Sequence, residues 1–167
     1  FGNPEKNIIM GQFVNSIKGI NKASKKLRLP VVSGNVSFYN ETNDNNIPPT
    51  PQIGAIGVIN DYRKVISNSS FELNDNIYLI GFPGNHLSCS AYERCFYDYK
   101  DIKTNSIPPK VDLEHEKNNG EFIYNLINKK IISSCHDISD GGLLIALVEM
   151  CLTKQCSISF SRKFKSH

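Results

Sequence analysis

The stretch "PVVSGNVSFYNETNDNNIPPTPQIG", Pro30 to Gly54, decides how this chain is divided. It opens as a buried strand, because Val31 and Val32 are β-branched and apolar. Gly34, Asn35 and Ser37 follow, with no bulky apolar side chain among them, and a second run of turn residues closes on Pro48, Pro49 and Pro51. Two readings are open. In the first, Gly34-Asn35 is a turn and Ser37 caps a neighbouring backbone group. In the second, the segment holds a charged ligand: Gly34 lets a phosphate approach the backbone without meeting a Cβ. The Asn35 carboxamide oxygen is then a hard, neutral donor suited to Mg²⁺, and the Ser37 hydroxyl is a donor for a phosphate or a polar substrate. Spacing alone favours the turn. Neither a G-x-x-x-x-G-K-[ST] loop nor a G-x-G-x-x-G fingerprint occurs anywhere in the chain.

Before Pro30, "FGNPEKNIIMGQFVNSIKGINKASKKLRLP" reads as one amphipathic helix. Asn3 is expected to cap it, Pro4 suits its first position and Glu5 complements its positive start. Ile9, Phe13, Ile17, Ile20 and Leu27 recur at steps of three, four and seven residues and make one apolar stripe. Lys25, Lys26 and Arg28 fall in the last turns, where cations are favoured, and Pro30 prevents continuation. After Pro51, "QIGAIGVIND", "NDNIYLIGFPG", "IISSCHD" and "CSISFS" read as strands, with "PVVSG" as an earlier one. "VDLEHEKNNGEFIYNLINKKI" reads as a helix capped by Asp112, with Phe122, Ile123, Leu126 and Ile127 on its inner side, and "ISDGGLLIALVEMCL" as a turn running into another helix. "SCSAYERCFYDYK" has helical residues with weak periodicity. Helices alternating with strands define an α/β (α+β) chain, and the natural break lies near Thr50, giving segments 1–52 and 53–167.

A second constellation is "HDISDGGL", His136 to Leu143. A strand ending in His136 and Asp137, then a helix starting at Ser139 or Asp140 with two glycines in its first turn, offers backbone amides to an anion. The carboxylates of Asp137 and Asp140 are candidates to hold a magnesium ion bridging to it. The plain alternative is a tight strand-to-helix turn whose Asp and Ser only cap. His136 is within reach of a general-base role, although a single His after a strand is more often structural. A Ser37–His136–Asp137 triad is rejected, because no G-x-S-x-G elbow is present and a vicinal pair in a strand points apart.

Composition narrows the classes. With 40% hydrophobic and 21% charged residues, the 167-residue chain is that of an ordinary globular protein. A net charge of +3, carried by basic residues that are scattered apart from Lys25, Lys26 and Arg28 and the terminal cluster of Arg162, Lys163 and Lys165, gives no footprint for nucleic acid. No apolar run reaches the roughly 18 residues of a membrane span, and no signal peptide opens the chain. Cys89, Cys95, Cys135, Cys151 and Cys156 form no C-x-x-C pair and do not combine with the histidines at zinc spacing, so reduced thiols in the cytoplasm are expected. The first residue is Phe1 and the last stretch, "SRKFKSH", is neither turn nor tail, which leads us to expect a piece of a longer protein.

Taken together and in order, "FGNPEKNIIMGQFVNSIKGI", "PVVSGNVSFYNET", "IPPTPQIGAIGVI", "PPKVDLEHEK" and "HDISDGGL" resemble the synthetase subunits of the phosphoribosylformylglycinamidine synthase family, in their small form. The resemblance runs from Phe1 to about Leu152. It implies an aminoimidazole ribonucleotide synthetase-like fold, with residues 1–52 ending the second N-terminal-type, ATP-binding domain and residues 53–167 making up most of the second C-terminal-type, mixed-sheet domain. It implies a ligase of purine biosynthesis that uses ATP and Mg²⁺ to convert formylglycinamide ribonucleotide to its amidine. Ammonia comes from a separate glutaminase subunit, with a small bridging subunit as a further partner. Carried over, Gly34 contacts ATP, Asn35 binds Mg²⁺ and Ser37 contacts substrate. By internal pseudo-symmetry Asp137 belongs to an auxiliary magnesium–nucleotide site. The family's catalytic histidines and an ATP-contacting Asp have no counterpart here, so the chain alone is expected to be inactive. "LSCSAYERC" departs from the family's glycine-rich pattern, and Asn7-Ile8 from a common Pro-Glu. Another enzyme of the same superfamily and a non-catalytic nucleotide-binding or scaffold module are the alternatives.

Overall fold

A computed structural model describes residues 1–82, 84, 86–97 and 106–160. It divides into two compact units, one formed by Phe1–Val58 with Asp112–Asn118 and the other by Ile59–Val111 with Asn119–His167.

In the first unit, helix α1 spans Asn7–Leu27. Asn3 does not cap it. The Asn3 carboxamide oxygen accepts the Glu5 N–H at 2.9 Å and its carbonyl accepts the Lys6 N–H at 3.2 Å. Asn3 therefore closes a turn of its own, and the helix begins one turn later than expected, after Lys6 in extended conformation. At the other end Arg28 sits in the left-handed region (φ 58°) and Ser24 O receives the terminal N–H groups, so the helix closes before Pro30. Of the expected apolar stripe, Ile9 is buried and Ile17 is 49% exposed. Phe13 meets Phe1 edge-on at 5.3 Å between ring centroids and Phe38 at 5.0 Å, an arrangement that aromatic quadrupoles favour. Strands β1 (Glu41–Thr42) and β2 (Asn45–Asn46) pair antiparallel, Glu41 opposite Asn46 and Thr42 opposite Asn45. The two loop residues, Asn43 (φ 50°) and Asp44 (φ 61°), both take positive φ, which is the requirement of a type I′ hairpin and suits Asn and Asp.

In the second unit, a 3-10 turn at Tyr62–Lys64 is capped by Asp61, which accepts the Arg63 N–H. Helix α2 spans Ala91–Phe96, capped by the Ser90 hydroxyl on Glu93 N–H at 3.2 Å. Helix α4 spans Gly142–Leu152 and contributes Ala146 and Leu147, the buried apolar residues of this unit among the described residues. Helix α3, Leu113–Asn128, has residues 113–118 in the first unit and the remainder in the second. As expected, Asp112 caps it, accepting Glu114 N–H at 3.1 Å and His115 N–H at 3.0 Å. Its inner side is not buried: Phe122 is 49% exposed, and Ile123, Leu126 and Ile127 are half-covered.

The five expected strands are not strands among the described residues, so the anticipated mixed sheet is replaced by irregular chain. "PVVSG", "QIGAIGVIND", "NDNIYLIGF" and "IISSCHD" carry no ladder, nor does Cys156–Phe160; Pro83 and Ser161, the remaining expected strand residues, lie outside the description, apart from Gly84, which carries no ladder either. Nor does the terminal basic cluster of Arg162, Lys163 and Lys165 fall inside it. The physical reason is that β-branched composition does not supply partners. A strand persists only where each N–H and C=O meets a neighbour, and here Val32, Ile56 and Val58 are 91%, 98% and 85% exposed.

Candidate functional site

The Gly34–Ser37 segment is followed by a backbone that is held from two sides. Ser37 O accepts the backbone nitrogen of Phe1 at 2.8 Å. Tyr39 N–H donates to Gly2 O at 3.0 Å and Asn40 N–H to Phe1 O at 3.2 Å. The Asn40 side chain ties these contacts together: its Nδ2 donates to Phe1 O at 3.0 Å and to Ser37 Oγ at 3.0 Å. The reverse contact, Ser37 Oγ to Asn40 Oδ1, is longer at 3.3 Å. The Ser37 hydroxyl is thus oriented by Asn40, accepting from its Nδ2 and donating through the longer contact to its Oδ1.

Tyr39 lies in the left-handed region at φ 58°, which few aromatic residues adopt. Its hydroxyl donates to Glu5 Oε1 at 3.3 Å. The Glu5 carboxylate, followed by partial desolvation and the hydrogen bond itself, pushes the Tyr39 phenol above its ordinary pKa. Lys6 Nζ reaches Glu41 at 3.1 Å across the same edge. These contacts fix the chain immediately after Ser37.

Gly34 and Asn35 lie ahead of this clamp and are exposed. A Cβ built on Gly34 would meet nothing within 4 Å. None of the described residues hydrogen-bonds the Asn35 carboxamide. Gly34, Asn35 and Ser37 are therefore in one unit, with an approachable backbone, an unengaged oxygen donor and an oriented hydroxyl in four consecutive positions. A single carboxamide would supply only one of the several oxygens that Mg²⁺ requires. Among the described residues no group of three or more His, Cys, Asp or Glu side chains is placed to hold a metal.

The "HDISDGGL" segment differs from its sequence reading. Helix α4 starts at Gly142, not at Ser139 or Asp140, and its cap residue Gly141 is left-handed (φ 83°) with no side-chain cap. The Gly142 N–H is taken by Ser139 O at 3.1 Å, so that amide is not available to an anion. Because no strand forms here, His136 and Asp137 do not point apart: His136 Nδ1 lies 3.3 Å from Asp137 Oδ1. Its Nε2 lies 3.0 Å from Glu149 Oε2. Both ring nitrogens are engaged, which is the structural role rather than the general-base one. The Asp137 side chain stays 84% exposed and that of Asp140, 94% exposed, is 3.5 Å from Arg94.

The sequence marks Tyr39, Asn40 and Glu41 only as polar groups just beyond Ser37; that Asn40 organises the Ser37 clamp, and that Asn43-Asp44 forms a hairpin, emerge from the structure. The signal for the hairpin was present, since two consecutive residues tolerant of positive φ stood between short polar runs.

An exposed glycine–asparagine edge and an oriented serine, on a chain whose described residues form four α-helices and little sheet, acquire their class from comparison with known proteins. Residues 74–165 match the family "AIR synthase related protein, C-terminal domain", and the chain belongs to that family. It is similar to proteins named phosphoribosylformylglycinamidine synthase subunit PurL. The identity is 53% over 150 residues with that of Bartonella bacilliformis, covering 90% of this chain and 20% of the relative. With that of Pelagibacter ubique it is 46% over 152 residues, 91% of this chain and 20% of the relative. With that of Bartonella quintana it is 43% over 169 residues, 100% of this chain and 22% of the relative. The chain thus spans about a fifth of the length of these curated relatives. No solved structure matches. The resemblance read from the motifs and the aminoimidazole ribonucleotide synthetase-like fold family are borne out. Among the described residues no helix is long and apolar enough to cross a membrane.

Proposed function

We propose that this chain is part of an ATP-dependent ligase that converts formylglycinamide ribonucleotide to formylglycinamidine ribonucleotide, in the cytoplasm, with ammonia delivered from glutamine. The observation that carries the reading is the 53% identity, over 90% of the chain, to a relative named for that synthase. On this reading a separate glutaminase subunit and a small bridging subunit are the protein partners. Residues 1–52 end an N-terminal-type domain and residues 53–167 belong to a C-terminal-type domain.

The chemistry sets what the site must do. An amide is a poor electrophile, so its oxygen has to become a phosphate leaving group before ammonia can replace it. The charge moved in that phosphoryl transfer has to be neutralised. Gly34 admits the ATP phosphates to the backbone, since no Cβ stands in the way. Asn35 Oδ1 is a magnesium ligand, and the bound ion supplies the charge neutralisation at the transferring group. Ser37, oriented by Asn40, holds the substrate. These residues form one wall, and the chain alone does not turn over. Asp137, exposed and carrying one contact to His136, is proposed as a carboxylate of an auxiliary magnesium–nucleotide site.

The test is a replacement. Residues 1–167 are exchanged for the matching segment of the Bartonella bacilliformis relative, and amidine formation is assayed with glutaminase present. Retained activity supports the assignment. A soluble, folded chimera with no activity and no ATP binding contradicts it.

A further inference from the structure

The end of α4 brings two thiols together that the proposed reaction does not use. Gln155 takes a positive φ of 50° and turns the chain back on the helix, so that the Cys156 N–H donates to Cys151 O at 3.4 Å. This hydrogen bond closes the turn after the helix and brings Cys156 back beside Cys151. Both cysteines are half-buried and line one apolar groove, with Leu147, Val148, Leu152 and Ile158 as its other main walls. Both thiols are free, and Cys156 is the neighbouring thiol that acts on Cys151. Cys89 and Cys95, by contrast, are exposed.

We propose that Cys151 and Cys156 are a redox modification site, closing to an intramolecular disulfide when a peroxide is present. One thiol is oxidised by the peroxide to a sulfenic acid, releasing water. The second thiol attacks that sulfur, the S–O bond breaks and a second water leaves. Two thiols thus lose two protons and two electrons to one molecule of hydrogen peroxide. Burial is the main cause that raises the Cys151 thiol above its ordinary pKa, with the Cys156 hydrogen bond behind it. A protonated Cys151 is slow towards oxidant in solution, so closure depends on the second thiol lining the same groove. The bond ties the Cys156–Phe160 segment to the last turn of α4. A thiol-based reductant reverses it.

Lys154 stands between the two cysteines, so trypsin separates them and a disulfide appears as a cross-link between residues 131–154 and 155–162. The chain is exposed to hydrogen peroxide, quenched with N-ethylmaleimide, digested without reductant and sequenced by tandem mass spectrometry. The expected result is that cross-link, with the label lost from Cys151 and Cys156 in step and restored by dithiothreitol. Because residues 131–154 also contain Cys135, the cross-link has to survive Cys135→Ser and disappear in Cys151→Ser. Full labelling of both cysteines after peroxide, oxidation of either one alone to a sulfinic acid, or pairing of either with another cysteine overturns the proposal. Fragment-ion assignment in the unmodified chain keeps the test decisive should a variant not fold.

Discussion

The carboxamide oxygen of Asn46 accepts the backbone N–H of Asn3 at 2.9 Å, so the β1–β2 hairpin anchors the chain that leads into α1. The same chain presents Gly2 O and Phe1 O to Tyr39 and Asn40. One side chain at the end of the hairpin therefore supports the backbone that fixes Ser37.

Removing that anchor is expected to loosen the clamp without unfolding the helix. Asn46→Ala gives up one hydrogen bond to a backbone N–H, a net cost of about 1 kcal/mol. Gly2→Ala acts on the same contact more severely, because its Cβ would fall 2.0 Å from Asn46 Oδ1 and 2.6 Å from Asn46 Cβ. Amide hydrogen exchange should accelerate at Asn3, Tyr39 and Asn40 in both variants, and more in Gly2→Ala. Unchanged exchange at these amides would remove the hairpin from the account.

Two ionisable groups titrate in opposite directions. Hydrogen bonds from the Arg63 side chain and backbone hold the Asp61 carboxyl below the usual carboxylate range. The stability it gives the 3-10 turn is therefore present above the ordinary Asp pKa and is lost as pH falls through the lowered value. Tyr39 is the reverse case. Its contact with Glu5 favours the neutral phenol, so the contribution is present below the ordinary tyrosine pKa and is lost as pH rises through the raised one. Glu5→Gln should bring the Tyr39 titration back down, followed by tyrosinate absorbance. Arg63→Ala should move the Asp61 titration up, followed by carboxyl-carbon NMR.

Gly141 and Gly142 are both left-handed, yet they should not tolerate alanine equally. At Gly142 a Cβ meets nothing within 4 Å, so Gly142→Ala costs only the left-handed backbone penalty of about 1–2 kcal/mol. At Gly141 the Cβ would lie 2.4 Å from Ile145 Cγ1 and 2.8 Å from Ile145 Cβ, both side-chain atoms of the first turn of α4. Gly141→Ala should lower the urea midpoint of the second unit further than Gly142→Ala does. Equal midpoints would mean that α4 does not start where the geometry places it.

The parts of this architecture that were legible in the sequence are those decided locally. Apolar residues at helical spacing announced α1 and α3, and Asp112 announced its own capping role, because both depend on neighbours within four residues. The strands failed for the opposite reason. Val31-Val32 and Ile53–Val58 have strand-like composition, but a ladder is a property of a second segment, and no described segment pairs with them. The boundaries of α1 and α4 shifted because Asn3 satisfied its own turn and Gly141 took a left-handed cap. His136 was misjudged in part: its structural role was foreseen, but the contact with Asp137 was dismissed on the assumption of a strand. The Asn35 and Ser37 positions were visible as residues, whereas the Asn40 clamp that gives Ser37 its orientation requires the fold of Phe1 and Gly2 against it.

The central claim is that Gly34, Asn35 and Ser37 form a wall of an ATP, magnesium and substrate site. It is tested most directly by Asn35→Ala in a full-length protein containing this chain, assayed for amidine formation across a magnesium titration. The account predicts that turnover falls by at least about tenfold, equivalent to about 1.4 kcal/mol of lost transition-state stabilisation, and that half-maximal activity requires more magnesium. Turnover and magnesium dependence equal to those of the unsubstituted protein would contradict it.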